Sequence, residues 1–462
     1  MQATGFVIIV SRKHSQNPPF RAFKCESIQS FENLYNGISK TIGSESFKIK
    51  HRLTANSFTR NRTLNFPTLM LYLLNLRKSS AQVELDQFFA HRNDQKFAQQ
   101  VVTKSAFFQA RKQLSHLAFI DLNRSLVDGL YAQTRALKRW KGFRLCAIDG
   151  SQVRLPNYSN ILEAFGVHSG REGQADCAMG LASVFFDVLN HIAIDAYLGR
   201  TTGSERDYAA AHLEYANTDD LVVYDRGYNA FWLYALHLAM GVPFCMRAKI
   251  NQGKVFKKFA DSGKREAIVT LTPNKHSIER CRQKGLSSKP IRLRLVRVDL
   301  PEGVEVLITN LFDQEHYPAT VFKNLYHLRW KIEENYKRLK QWIEIENFSG
   351  KSALSVRQDF YANILASNLT AVLVIAAQTD ADIRTRKLRN RYQINFAQAL
   401  SKMKHTIIML VDFSGHALQQ LITETIHYIS ITVEAIKDGR SFPRPASKMK
   451  NKIYHMAYKR AL

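Results

Sequence analysis

"FRLCAIDGSQVRLP", residues 143–156, is where the chain changes character. Upstream, apolar residues recur at helical spacing, as in Leu69, Tyr72, Leu73 and Leu76. From Phe143 the pattern becomes a short apolar run, Leu145 to Ile148, read as a buried strand that ends in Asp149 and a Gly-Ser turn. "GLASVFFDVLNHIAIDAYLGR" (180–200) reads as two antiparallel strands around Leu189-Asn190, and "SERDYAAAHLEYA" (204–216) as a helix capped by Thr202 or Ser204. "DLVVYDRGYNAFWLYALHLAM" (220–240) reads as a strand ending at Asp225, a Gly turn and a helix. Strand, hairpin, helix, strand, helix is a mixed α/β (α+β) unit with its antiparallel strands first.

Working outward, residues 1–62 are basic and poorly periodic, and a small helical domain follows, with Ser105 expected to cap one of its helices. A helix-turn-helix is one reading of that region, and an ordinary helix pair is the other. Beyond residue 241, four β-type runs ("VPFCMRAKI", "KREAIVTLT", "PIRLRLVRVDL", "GVEVLITNL") are separated by Gly, Pro, Asn and Ser, and several alternate Arg with Leu or Val. They predict a β-rich insertion with one cationic face. Helical patterns fill the rest, up to a Lys/Arg-rich tail from Arg440 to Leu462 that contains no Asp or Glu.

The 462 residues carry 66 Lys+Arg against 39 Asp+Glu, a formal charge of +27. Solubility needs far less, and the basic residues are dispersed, so the expected partner is a polyanion, nucleic acid before membrane. Hydrophobic residues make up 45%, ample for real cores and against disorder. The five cysteines are scattered without CxxC pairing, which points to a reducing compartment and away from a disulfide framework or zinc knuckle. The N-terminal apolar run is too short for a signal peptide, and no window approaches a membrane span. The expectation is a cytoplasmic, nucleoid-associated bacterial protein.

In "LYHLRWKIEENYKRLKQWIEI" (325–345), read as one helix, Leu325, Leu328, Ile332, Tyr336, Leu339 and Ile343 form the core stripe. Tyr326, Arg329, Glu333 and Lys340 form a second stripe beside it, while Glu334 points to solvent. By itself this is equally the pattern of a surface salt-bridge ladder. Asp149 and Asp225 each close an apolar strand, where α/β proteins gather ligands, although Asp-Gly is also a common turn dipeptide. Three converging carboxylates would repel one another, and a hard divalent cation removes that repulsion.

"AIDGSQVRLPNYSNILEAFG" (147–166), "YDRGYN" (224–229) and "YHLRWKIEENYKRLK" (326–340) together resemble the insertion-sequence DDE transposases that carry a Tyr-x2-Arg-x3-Glu-x6-Lys signature, here Tyr326, Arg329, Glu333 and Lys340. The resemblance spans roughly residues 100–370, with a looser match at "GRSFPRP" (439–445). It implies a ribonuclease-H-like catalytic core interrupted by a β-rich insertion and flanked by helical N- and C-terminal domains. It implies Asp149, Asp225 and Glu333 as catalytic ligands of Mg²⁺, with Mn²⁺ as the other choice, and Tyr326, Arg329 and Lys340 as DNA phosphate-binding residues. The implied reaction is cut-and-paste transposition by nicking, a hairpin intermediate and strand transfer. Its partners are the terminal inverted repeats and target DNA, with a homodimer holding both ends and no membrane.

The resemblance also touches Glu205, as a site acid or a helix N-terminal charge, and Arg226 and Tyr228, as DNA contacts or turn packing. Phe256 and Phe312 are candidates for a base-stacking aromatic, or core residues. The expected division is 1–135 (basic, helical, DNA-binding), 136–240 (first part of the core), 241–314 (insertion), 315–385 (second part of the core) and 386–462 (helical domain and tail). The competing reading is a catalytically inactive descendant that binds DNA; it predicts decay at the motif positions, and none has decayed.

Overall fold

The structure is a computed structural model that describes residues 24–134, 137–168, 176–300 and 303–436. The basic tail and the stretch 439–445 lie outside the described residues.

The N-terminal stretch is more ordered than its sequence suggests. Helices α1 (Lys24–Gly43) and α2 (Glu45–His51) precede α3 (Phe66–Leu74), α4 (Ala81–Arg92), α5 (Lys104–Arg111) and α6 (Leu117–Gln133). In α1 a buried stripe of Phe31, Leu34, Tyr35, Ile38 and Ile42 runs at helical spacing, a period that polar neighbours obscure. The cap of α5 is Thr103, whose hydroxyl accepts from the Ala106 N–H, and not Ser105, which lies one turn inside.

The centre is a mixed sheet. Strands β1 (Arg144–Arg154), β2 (Cys177–Asp187) and β3 (Ile192–Arg200) form an antiparallel meander, with α7 (Ser159–Phe165) between the first two. Asp187 turns the β2–β3 hairpin by accepting from the Leu189 and Asn190 N–H groups. After α8 (Glu205–His212), β4 (Asp220–Tyr224) runs parallel to β1 and is buried along its whole length, as a strand covered on both faces must be. After α9 (Phe231–Met240), β5 (Phe244–Arg247) runs parallel to β4.

The insertion is mixed, because α10 (Lys254–Asp261) and α11 (Lys275–Gln283) alternate with β6 (Glu266–Leu271), β7 (Ile291–Leu300) and β8 (Gly303–Thr309). Its strands extend the central sheet through antiparallel β5–β8 pairing, giving the order β3-β2-β1-β4-β5-β8-β7-β6.

Asp149 is not at a strand end, as the sequence suggested. β1 continues to Arg154, and Asp149 and Gly150 pair with Val184 and Ser183 of β2. What ends is the other neighbour: β1–β4 pairing stops at Ala147–Val223, so Asp149 stands just beyond the carboxyl end of β4.

The 325–345 stretch keeps helical dihedrals through Arg329 but is not a uniform α-helix. It divides into α12 (Phe322–Leu328), α13 (Trp330–Lys337) and a π-helical turn, Arg338–Trp342. Neither Pro nor Gly causes the departures, and π turns recur at functional sites.

Helix α14 (Ala353–Thr385) starts with a Ser352–Ser355 capping box and packs against α3, α6 and β3. By length and composition it could cross a bilayer, contrary to the sequence expectation, but 89% of its most apolar window is buried inside the fold. It is the central core helix. Helices α15 (Phe396–Asp412) and α16 (Gly415–Ser430) complete the described chain with a small β9 (Arg391–Ile394)–β10 (Val433–Ile436) pair.

Candidate active site

Asp149 comes from β1, Asp225 from the residue after β4, and Glu333 from α13. Asp225 caps a 3₁₀ turn, Arg226–Tyr228, by accepting from the Gly227 N–H. Glycine is needed there, because a Cβ on residue 227 would stand 2.8 Å from the Asp225 Oδ1. One Asp149 oxygen accepts from the Gly150 N–H at 2.9 Å. Burial pushes the Asp149 carboxyl up to about 7; the Gly150 amide and Arg329 pull it down, while Asp225 and Glu205 add to the rise. Asp149, Asp225, Glu205 and Arg329 therefore share one electrostatic neighbourhood.

Tyr336 fastens α13 to this strand. Its hydroxyl donates to the Asp149 carbonyl at 2.7 Å and lies 3.2 Å from the Ala182 carbonyl. One turn earlier on the helix, Glu333 accepts from Arg329 Nη2 at 3.1 Å. Burial alone would depress the Arg329 pKa, but Tyr326, Asp149 and Glu333 more than offset it and raise it. Its guanidinium lies between the rings of Tyr326 and Trp330, at 5.6 and 5.3 Å. Lys340, on the π turn, donates to the Gln152 carbonyl of β1 at 2.6 Å. Tyr326 and Arg329 are buried, Glu333 and Lys340 are about one-third exposed, and Glu334 is exposed.

Helix α8 roofs the site. Ser204 caps it, and the neighbouring Arg206 donates to the Gly227 carbonyl at 2.9 Å. At its far end buried His212 holds Asp195 of β3 through Nδ1 at 2.7 Å and Ser183 of β2 through Nε2 at 3.0 Å. Ser183 in turn donates to the Asp149 carbonyl at 3.4 Å. Sequence reading missed Tyr336 as a site residue, since its spacing put it in the core stripe, and missed His212 and Ser183, which carry no local motif.

Of the other candidates, Phe256 is buried and Phe312 is 38% exposed, with Arg292 against its ring at 5.8 Å. Tyr228 is buried and Arg226 exposed.

The donor set fits a hard divalent cation: carboxylate oxygens brought from β1, the end of β4 and α13. Among the described residues, no three acidic, imidazole or thiol side chains stand close enough together to hold an ion. The positive charge beside Asp149 and Glu333 is the Arg329 guanidinium.

Residues 140–369 match the transposase DDE domain family. The transposase InsG of insertion sequence element IS4 from Escherichia coli K12 is 24% identical over 360 residues, covering 74% of this chain and 76% of that protein. A putative transposase, y4zB, of Sinorhizobium fredii is 30% identical over 198 residues, 42% of this chain and 49% of that one. Among solved structures, a piggyBac transposase synaptic complex with hairpin DNA aligns over 93% of this chain and 86% of that one at 10% identity and a TM-score of 0.40. Residues 140–369 thus match a transposase DDE domain, and over about three-quarters of its length the chain is similar to an insertion-sequence transposase.

Proposed function

We propose that this transposase excises and inserts its element by metal-dependent cut-and-paste chemistry on DNA, with Asp149, Asp225 and Glu333 as the catalytic carboxylates. The sheet order β3-β2-β1-β4-β5, three antiparallel strands followed by two parallel ones, supports a ribonuclease-H-like core. The observation that carries the reading is the Tyr336–Asp149 hydrogen bond, which brings the Glu333 helix onto the Asp149 strand beside the end of β4.

Asp149, Asp225 and Glu333 would hold Mg²⁺ or Mn²⁺, which supplies charge neutralisation for an attacking oxygen and for the leaving one. The protein's own residues position the DNA. Arg329 would exchange Glu333 for a phosphate, to which a guanidinium forks well, and Lys340 offers a point charge one turn beyond α13. The Tyr326 ring lies against the Arg329 guanidinium and would hold it in place for a phosphate. The basic insertion is a second DNA-facing surface, and a homodimer would hold both ends.

The test is cleavage of linear DNA bearing the inverted repeats that flank the gene, with Mg²⁺. Wild type should nick the ends and form hairpins, and Asp149→Ala should bind without cutting. Binding without cleavage by wild type, in Mg²⁺ and Mn²⁺ alike, would overturn the proposal.

A further inference from the structure

Glu205 opens helix α8, where an acid is ordinarily explained by the helix dipole. Its carboxylate, however, lies against the backbone of Gly150. A Cβ on residue 150 would stand 2.7 Å from Glu205 Oε1, 2.9 Å from its Cδ and 3.0 Å from its Cγ. So the residue after Asp149 must lack a side chain for Glu205 to approach this strand. The approach is held from both ends of α8, by Arg206 on the Gly227 carbonyl and by His212 on Ser183 and Asp195. Among the described residues Glu205 has no salt bridge and no side-chain hydrogen bond.

A second observation points to a missing component. The hydroxyl of Tyr228, fully buried, has no hydrogen-bond partner among the described residues. The charged groups that act on it are Asp149, Glu205 and Asp225. A buried donor left unpaired among acids is rare in a complete site, and a hydrated cation among those acids would give it a partner. We propose that Glu205 is a fourth carboxylate of the divalent-cation site, acting with Asp149 and Asp225 from across Gly150. The inference rests on the metal-site reading above and adds a ligand to it. Glu205 is exposed, so it would join the site from its solvent-accessible side. Oxygen-only donors suit Mg²⁺ or Mn²⁺ and disfavour softer metals.

The test reads Mn²⁺ affinity of the full-length chain without DNA, by electron paramagnetic resonance of the free ion, for wild type, Glu205→Gln, Gly150→Ala, the double variant and Asp149→Asn. The expected result is at least a tenfold rise in Kd for Glu205→Gln. Gly150→Ala should weaken binding similarly by displacing the Glu205 side chain, and should add little in the Glu205→Gln background, as coupled sites do. Both Glu205 and Gly150 lie outside the buried core, so folding is retained, and circular dichroism checks it. If Glu205→Gln binds within twofold of wild type while Asp149→Asn weakens binding tenfold, the fourth ligand is refuted and the site stands. If Asp149→Asn also binds like wild type, the metal-site reading fails and takes this inference with it.

Discussion

The Tyr336 hydroxyl donates to the carbonyl of Asp149, so the helix that carries Glu333 is fastened to the backbone of the residue it must work with. Tyr336 is buried and Asp149 lies mid-strand, so the tie joins two parts of the core far apart in sequence.

Tyr336→Phe keeps the ring and removes the tie. The Asp149 carbonyl keeps its strand pairing with β2 and the long bond from Ser183. The expected loss is about 1–3 kcal/mol of stability by urea denaturation. End cleavage should fall by more than end binding, because α13 loses its fixed approach to β1. Unchanged cleavage would mean that packing alone aligns the helix.

Asp149→Asn should stabilise the metal-free protein at neutral pH. The folded carboxyl is pushed up to about 7, above its ordinary value near 4, so its stability contribution is complete below that ordinary value and lost as pH rises through 7. In EDTA, wild type and variant should therefore match most closely near pH 4, and the variant should gain as pH rises. The ceiling is about 1.4 kcal/mol per pH unit across the window, lowered by solvent around the part-exposed group. Denaturation midpoints at several pH values check the trend; a gap that narrows with rising pH would contradict it.

Asp359 works in the opposite sense. It lies on α14 and accepts from Arg77 Nη2 at 2.6 Å and Arg111 Nη2 at 2.9 Å, all three buried. Burial would raise its pKa, but Arg111 and Arg77 overcome this and hold it well below the carboxylate range. Its stabilisation is present above about pH 4 and lost as pH falls through the depressed value. Asp359→Asn leaves two buried guanidinium groups short of charge and should cost about 3–5 kcal/mol at pH 7. The gap from wild type should shrink on acidification, which a urea series would read.

Much of the site was legible before any coordinates. The β2–β3 hairpin, the apolar strand before Asp225 and the Ser204 cap follow from local chemistry, and all three are present. Helical spacing put Tyr326, Arg329, Glu333 and Lys340 on one stripe, and the Arg329–Glu333 bond is a four-residue helical neighbour pair. The tightened turn at Arg329 and the π turn at 338–342 were not legible. The Lys340 bond to β1 is tertiary, and such a tie overrides a smooth helical period. The ends of β1 were misread for a related reason: Asp-Gly has turn chemistry, but pairing with β2 holds it extended. Glu205 over Gly150 depends on His212 and Arg206, residues that no spacing links to position 150.

The central claim is that Glu333 serves the reaction while its exposed neighbour Glu334 does not. The two side chains differ in their surroundings: Glu333 meets Arg329 at the site, and Glu334 is exposed. The most direct test is Mg²⁺-dependent cleavage of inverted-repeat DNA by Glu333→Ala and Glu334→Ala side by side, with end binding measured on the same preparations. The account predicts that Glu333→Ala loses cleavage by at least a thousandfold and keeps binding, while Glu334→Ala stays within a few-fold of wild type in both. Equal losses from the two substitutions, or full cleavage by Glu333→Ala, would contradict it.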